Sequence, residues 1–111
     1  RDIDVGDIVN PPSISGITLA VEDDGFADHY TLEWTASANM SSAWSVRAQF
    51  YREGVIRGTR TEPATNEVIT FTDPGAGDGQ PNMHSATLEL LNDSQQVVAT
   101  INSPVVISTT T

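Results

Sequence analysis

Apolar residues recur at every second position in several short segments of this chain. Tyr30, Leu32 and Trp34, for example, alternate with polar residues. Because successive side chains of a strand point to opposite faces, a period of two predicts strands that are buried on one face. No stretch carries apolar residues at helical spacing over three turns. The pattern therefore predicts an all-β fold.

Turn-forming residues divide the chain into about seven short strands. Tight turns are predicted at 22–25, 52–54 and 92–96, where Asp, Asn, Ser and Gly cluster. Longer loops are predicted over 36–43 and 73–82, which are rich in small residues or in glycine. Short strands joined by frequent turns are typical of two antiparallel sheets packed face to face. The predicted fold is an antiparallel β-sandwich.

The phase of the alternation also predicts which side chains form the core. A length of 111 residues fits one domain with one modest core. We assign 11–108 to the sandwich, 1–10 to an N-terminal tail or extra strand, and 109–111 to a C-terminal tail. The side chains predicted to pack between the sheets are Leu19, Leu32, Trp34, Trp44, Val46, Phe50, Phe71, Leu88 and Leu90.

The charge balance limits the classes of partner. Five Arg, no Lys and 15 Asp or Glu give a net charge of −10. Binding to a nucleic-acid backbone or to an anionic membrane surface requires clustered basic residues, so both are excluded. No run approaches the roughly 20 apolar residues of a spanning helix. The expected partners are proteins, either copies of this chain or an assembly scaffold.

Two absences limit the chemistry and the origin of the chain, although the absence of Cys does not decide its compartment. There is no Cys, which excludes disulfides and thiolate metal sites. The chain opens on Arg1 without a starting Met or a signal peptide, so we expect a mature or trimmed product. We expect it on the cell surface, outside the cell or on the exterior of a virion.

A cluster of carboxylates makes a weak Ca²⁺ candidate. Hard cations take six to eight oxygen ligands, often from loops. The alternative interpretation, which we favour, is an acidic hairpin tip, because no Asp-x-Asp-x-Asp-Gly pattern is present. Asp73 and Asp78 could add ligands, but alternating strand order places their loop at the opposite end of the sandwich. The candidate ligands are Glu22, Asp23, Asp24 and Asp28.

No catalytic constellation is evident, and no cofactor is expected. Acid–base or nucleophilic catalysis needs a nucleophile, a base and an orienting group in one cleft. Only His29 and His84 could serve as imidazole bases. We interpret both as loop or corner residues, so the chain is not expected to be an enzyme.

Three further groups of residues are candidates for modification or contact. Asn39 and Asn92 each begin an Asn-x-Ser acceptor pattern for glycosylation in a predicted loop. Tyr51 is the one aromatic side chain of 30–51 that points away from the predicted core, as a sugar-stacking ring would. The apolar residues of the acidic N-terminal segment are candidate anchors for docking on a neighbour's sheet, and they are Ile3, Val5 and Ile8.

The order of the strands resembles the immunoglobulin-like superfamily, and it is similar to fibronectin type III and bacterial Ig-like modules. The similarity covers most of 11–108. It is carried by the Pro-Pro-Ser-Ile entry at 11–14, by Leu-Glu-Trp-Thr at 32–35, by 45–51 and by the hairpin over 86–100. The chain departs from the type III pattern before the sixth strand, where His84 stands near the position expected for Tyr. The resemblance implies a spacer, adhesion domain or assembly subunit.

Two functional hypotheses follow from these observations. The first is a non-catalytic structural subunit or accessory domain of an external assembly, such as a virion decoration or tail protein or a surface filament. The second is a carbohydrate-binding or adhesion module of a larger surface protein.

The acidic excess also raises the hypothesis of adaptation to high salt. If the carboxylates are adapted to concentrated salt, we expect the melting temperature to rise with KCl well beyond the concentration at which Debye screening saturates. Thermal unfolding from low to molar KCl measures this. A flat curve would leave ordinary acidity as the explanation.

Overall fold

The computed structural model describes residues 11–110, which form two sheets packed as a β-sandwich. The predicted all-β sandwich is confirmed. Seven strands have six residues or more, as expected, and two more have two residues each. In chain order they are β1 Ile14–Asp23, β2 Ala27–Ala36, β3 Ser45–Arg52, β4 Val55–Pro63, β5 Val68–Pro74, β6 Met83–Leu91, β7 Val97–Asn102, β8 Val106–Ile107 and β9 Thr109–Thr110.

The first sheet has the order β5-β2-β1-β9, and the second has the order β4-β3-β6-β7 with β8 also paired to β6. All pairs are antiparallel except β1 with β9. This coarse architecture agrees with the Ig-like resemblance. The finer assignment to Ig or fibronectin type III modules remains a prediction.

The core consists of the inward-facing residues of both sheets. Leu32 from the first sheet and Phe50 and Leu88 from the second have no exposed surface. Of the nine side chains predicted for the core, seven are buried, and Trp44 and Phe71 are partly buried against the cluster. The strands therefore follow the alternation of the sequence, since burying one face of each sheet is the main driving force for folding.

The β3–β4 hairpin shows how local sequence sets the register. Glu53 and Gly54 are its only loop residues, and both have positive φ, at 50° and 80°. Two-residue loops of this kind match the twist of the flanking strands, and Gly adopts the conformation without steric cost.

One end of the sandwich carries the β1–β2 turn, the β3–β4 turn, the β5–β6 loop and β8–β9, and we call it the polar end. Pairing places Asp28 opposite Asp73 and Ala27 opposite Pro74. The expectation that the first turn and the 73–82 loop lie at opposite ends is therefore wrong. The reason is that β5 pairs antiparallel with β2, which sets the end of β5 beside the start of β2.

The sandwich is closed on its β4–β5 side by an aromatic ring. Phe71 stacks on Phe50 with ring centroids 5.0 Å apart and covers Gly58. A Cβ on Gly58 would lie 2.3 Å from Cζ of Phe71. Glycine at this position lets the ring fill the gap between the two sheets.

In the described range, no helix has the length and apolarity that crossing a bilayer requires.

Gly58→Ala tests this packing. We expect it to lower the free energy of unfolding by about 1–3 kcal/mol, because the methyl group overpacks the ring. Chemical denaturation measures the change. The control Thr59→Ala, at an exposed neighbouring position, should change stability by less than about 0.5 kcal/mol. Equal effects of the two variants would contradict the packing role.

Candidate functional site

The inward face of the strands continues past the apolar core into charged side chains at the polar end. On each of five strands, the inner face carries an apolar residue and, two positions nearer the polar end, an ionisable residue. Since a strand alternates strictly, these side chains point between the sheets rather than outward. The five residues, which we call the polar cluster, are Asp23, Asp28, Arg52, Asp73 and His84, and the apolar residues two positions before or after them are Val21, Tyr30, Phe50, Phe71 and Ala86.

Asp28 lies at the centre of the polar cluster and has no exposed surface. Its Oδ2 is 3.4 Å from Nε of Arg52 and 3.9 Å from Nε2 of His84. Neither contact is a hydrogen bond, so both Asp28 oxygens and these two nitrogens are buried without a hydrogen-bond partner in the part of the chain that the structure describes. Burial raises the pKa of Asp28 to about 6, and the charges of Asp23 and Asp73 add to the effect.

Asp23 anchors the loop between β5 and β6. Its carboxylate accepts hydrogen bonds from the amide of Gly25 at 2.8 Å, of Asp78 at 3.0 Å and of Gly79 at 3.2 Å. Burial alone would raise the pKa of Asp23, but the amide donors outweigh it and lower the pKa. Asp23 is therefore a carboxylate whose ionised form is held by the backbone.

Asp73 joins the two sheets through an ion pair. Nε and Nη2 of Arg57, on β4, donate to its two carboxylate oxygens at 2.6 and 3.4 Å. The hydrogen bond that Arg57 donates to Asp73 raises the pKa of Arg57, so the guanidinium stays charged. This pair connects the edge strands β4 and β5, which belong to different sheets.

His84 is buried beside Tyr30. The Tyr30 hydroxyl lies 2.9 Å from Nδ1 of His84, and the two rings meet edge to face with centroids 5.1 Å apart. Burial lowers the pKa of His84, and the charge of Arg52 lowers it further, and both effects favour the neutral imidazole. The interpretation of His84 as a loop or corner residue is wrong, because the inward phase of β6 carries it into the core.

His29 was likewise expected in a loop, and it lies within β2 instead. It faces outward, where its Nε2 is 2.9 Å from Oδ2 of Asp24. The amide of Ala27, together with His29, lowers the pKa of Asp24 to about 2. Asp24 thus caps the turn and does not face the polar cluster.

The four Ca²⁺ candidates do not share one site. Glu22 is exposed on the outer face, Asp24 caps the turn, and Asp23 and Asp28 point inward. Within 11–110, no group of three or more His, Cys, Asp or Glu could hold a metal ion. The acidic tip is also not simply solvated, since the cross-strand pair Asp23–Asp28 is fully buried.

The arrangement gives His84 and Asp28 no route to a substrate, because neither side chain has exposed surface. His29 is half exposed but is paired with Asp24. The polar cluster is therefore suited to holding the fold and binding protons, rather than to acid–base catalysis on a substrate.

The two glycosylation candidates lie apart from the polar cluster, whereas the sugar-binding candidate Tyr51 directly precedes Arg52 on β3. Asn39 is exposed in the β2–β3 loop. The side chain of Asn92 closes the β6–β7 turn, where Nδ2 donates to Gln96 at 3.1 Å and Oδ1 accepts two amides. Tyr51 is partly buried on β3, and its hydroxyl donates to Gln49 at 3.3 Å.

A second feature is an uncharged edge formed by the C-terminal strands. No Asp, Glu, Arg or Lys occurs after Asp93, so the last 18 residues carry no charged side chain. Among the described strands, β7 is at the edge of its sheet. Exposed apolar side chains line this region, with Val105 64% and Ile107 57% exposed. We define the C-terminal apolar edge as Val97, Val98, Val105 and Ile107 together with the adjacent Met83 of β6, which pairs with Ile107.

Sequence reasoning missed both features, although both left a signal. Extending each alternating run by two positions would have placed His84 and Asp73 on the inner face. No charged residue follows Asp93, although the net charge of the chain is −10. The docking candidates Ile3, Val5 and Ile8 lie outside the described residues.

No protein-family model matches the chain, and no curated protein matches it in sequence. Among solved structures, the chain is similar to the CARDB domain of the PF1109 protein from Pyrococcus furiosus, which was crystallised in complex with di-metal ions. The two are 18% identical, with a TM-score of 0.46. The match covers 93% of this chain and 97% of the CARDB chain.

Asp23→Ala tests the anchoring of the loop. We expect a lower melting temperature at pH 7 and faster amide exchange at Asp78 and Gly79, because both amides lose their acceptor. Since the pKa of Asp23 is lowered in the fold, its stabilisation is present above about pH 3.8 and is lost as the pH falls through its folded pKa. The deficit of the variant should therefore shrink in strong acid. Glu22→Ala, at an exposed position, is the control, and an equal deficit there would contradict the anchoring role.

Proposed function

We propose that this chain is a non-catalytic structural subunit or accessory domain of an external assembly, which binds proteins through its C-terminal apolar edge. Virion decoration or tail proteins and surface filaments are the assemblies that this role fits. The observation that carries the proposal is the uncharged, exposed edge of β7 and β8 in a strongly acidic molecule.

The opposite edge of the same sheet, β4, is protected from pairing with other chains, whereas β7 is not. β4 carries Arg57 and Arg60, and both reach across to β5, where Arg60 donates to the carbonyl of Thr70 at 3.1 Å. Charged side chains on edge strands prevent pairing with other chains. β7 carries no charge, and Val97 and Val98 are 44% and 48% exposed. β7 is therefore the edge that accepts an additional strand.

Charge favours a second copy of this chain as the occupant. Two molecules that each carry a net charge of −10 repel each other over most of their surfaces. Contact through an uncharged edge keeps the charged groups apart and buries exposed valine and isoleucine side chains. Because salt screens the remaining repulsion, association through this edge should strengthen as ionic strength rises.

Residues 1–10 are a candidate for the added strand. Ile3, Val5 and Ile8 are spaced among Asp2, Asp4 and Asp7. A segment of this kind could pair with the β7 edge of a neighbour by β-augmentation, in which backbone hydrogen bonds give affinity and alternate side chains give register.

Carbohydrate binding is the second candidate function, and a groove beside Trp44 favours it. The groove has a volume of about 320 Å³ and surrounds a partly buried indole with hydroxyl, carboxylate and amide groups. Polar groups around an aromatic ring suit a sugar ring. A glycan array would show binding that Gln95→Ala abolishes and that Tyr51→Ala, at the other end of β3, retains. The polar residues of the groove are Ser42, Ser45, Thr61, Glu62 and Gln95.

Val98→Lys tests the edge directly. We expect sedimentation to show self-association of the wild type that increases with KCl, and a dissociation constant at least about tenfold weaker in the variant, because a buried ammonium opposes docking. The matched control is Val68→Lys on β5, the edge of the other sheet, where Val68 is 40% exposed.

Three outcomes separate the possibilities. Loss of association in Val98→Lys alone supports the edge. Equal association of both variants, or a wild type that stays monomeric at molar KCl, contradicts self-assembly through it. A full-length chain with Ile3, Val5 and Ile8 replaced by Asn tests the tail separately, since retained association would remove residues 1–10 as the docking strand.

A further inference from the structure

We infer that Asp28, Arg52 and His84 form a buried proton-binding site that tightens the polar end when the surroundings become acidic. The ligand is a proton from bulk water, which forms an O–H bond on the Asp28 carboxylate. The proposal does not depend on which partner the edge binds.

The geometry of the site is the first argument. Four polar atoms converge there without a hydrogen-bond partner among residues 11–110, namely both oxygens of Asp28, Nε of Arg52 and Nε2 of His84. Asp28 and His84 have no exposed side-chain surface. A buried polar atom without a partner is costly, so the arrangement is incomplete while Asp28 is ionised.

The surrounding charges are the second argument. The guanidinium of Arg52 lies 3.4 Å from Asp28, and it is shared, since its Nη2 donates to Asp78 at 3.0 Å. Carboxylates face Asp28 from several other elements, so its own negative charge is poorly compensated. The titratable and charged groups around the site are Asp23 on β1, Tyr30 on β2, Arg52 on β3, Glu53 in the β3–β4 turn, Arg57 on β4, Asp73 on β5, Asp78 in the β5–β6 loop and His84 on β6.

Protonation of Asp28 reduces both the charge repulsion and the number of buried polar atoms without a partner. A neutral Asp28 no longer repels Asp23 and Asp73. Its O–H is also a potential donor to Nε2 of His84, which lies 3.9 Å from Oδ2, so a hydrogen bond requires the two side chains to move closer. Nε2 can accept when His84 carries its own proton on Nδ1 and donates it to the Tyr30 oxygen 2.9 Å away. The pKa of Asp28, raised by burial to about 6, places the change within mildly acidic conditions.

The site sits where the C-terminal strands attach. His84 pairs with Val106 of β8, and Asp23 pairs with Thr110 of β9. Asp23 also holds the amides of the β5–β6 loop. Relief of the repulsion on Asp23 should therefore protect this loop and these strands from opening.

The sign of the pH dependence follows from linkage. A carboxyl whose pKa is raised in the fold adds stability as the pH falls through its folded pKa towards its unfolded pKa. His84 acts in the opposite direction, because its pKa is lowered by burial and the unfolded chain binds that proton more readily. The dependence of the wild-type melting temperature on pH contains both effects. The informative quantity is therefore the difference in melting temperature between the wild type and a variant at Asp28.

Asp28→Asn mimics the neutral carboxyl. We expect its melting temperature relative to the wild type to be higher at pH 8 than at pH 5, because only the wild type gains a proton between the two. Asp93→Asn, at an exposed position in the β6–β7 turn at the other end of the sandwich, is the control, and its difference from the wild type should be the same at both pH values. A difference for Asp28→Asn that is the same at both pH values would overturn the proposal.

A measurement on the unmodified chain keeps the test decisive if Asp28→Asn does not fold. An NMR titration of the Asp28 carboxyl carbon should give a midpoint near 6, with the exchange protection of the Asp78 and Gly79 amides, corrected for intrinsic rates, rising as the pH falls. A midpoint below about 4.5, in the ordinary range for Asp, would overturn the proposal.

Discussion

The structure depends on one constraint, which is that charged side chains occupy inward positions at one end of the sandwich and must be matched there. Strand alternation carries Asp23, Asp28 and Asp73 into the space between the sheets. A buried charge is tolerated only with partners, and each carboxylate has a different one. Asp23 takes backbone amides and Asp73 takes Arg57, whereas Asp28 is left with distant contacts.

This difference organises the polar end. The carboxylates with good partners fix the β5–β6 loop and join the two sheets at β4 and β5. The carboxylate without a good partner, Asp28, gives the same end a sensitivity to acid. The remainder of the surface charge lies outside, where it keeps copies of the molecule apart. The uncharged C-terminal edge is the exception, and our proposal of assembly rests on that contrast.

The sequence predicted the fold well because the signal for a strand is local. Tyr30, Leu32 and Trp34 alternate clearly, and Glu53-Gly54 forms the expected tight turn. The site was harder to predict, because polar residues at the ends of strands look like solvent-exposed turns. Whether Asp28 faces water or His84 depends on the packing of a second sheet, and only pairing between β2 and β5 brings Asp73 beside it.

The most direct test of the matched inward charges is to compare the unfolding free energies of Arg57→Gln and of the double variant Arg57→Gln/Asp73→Asn. Removing Arg57 leaves the Asp73 carboxylate, whose side chain is 9% exposed, without its cation. We predict that the double variant is more stable than Arg57→Gln, because neutralising Asp73 removes an uncompensated buried charge. A double variant that is less stable than Arg57→Gln would contradict the requirement that these inward charges be matched.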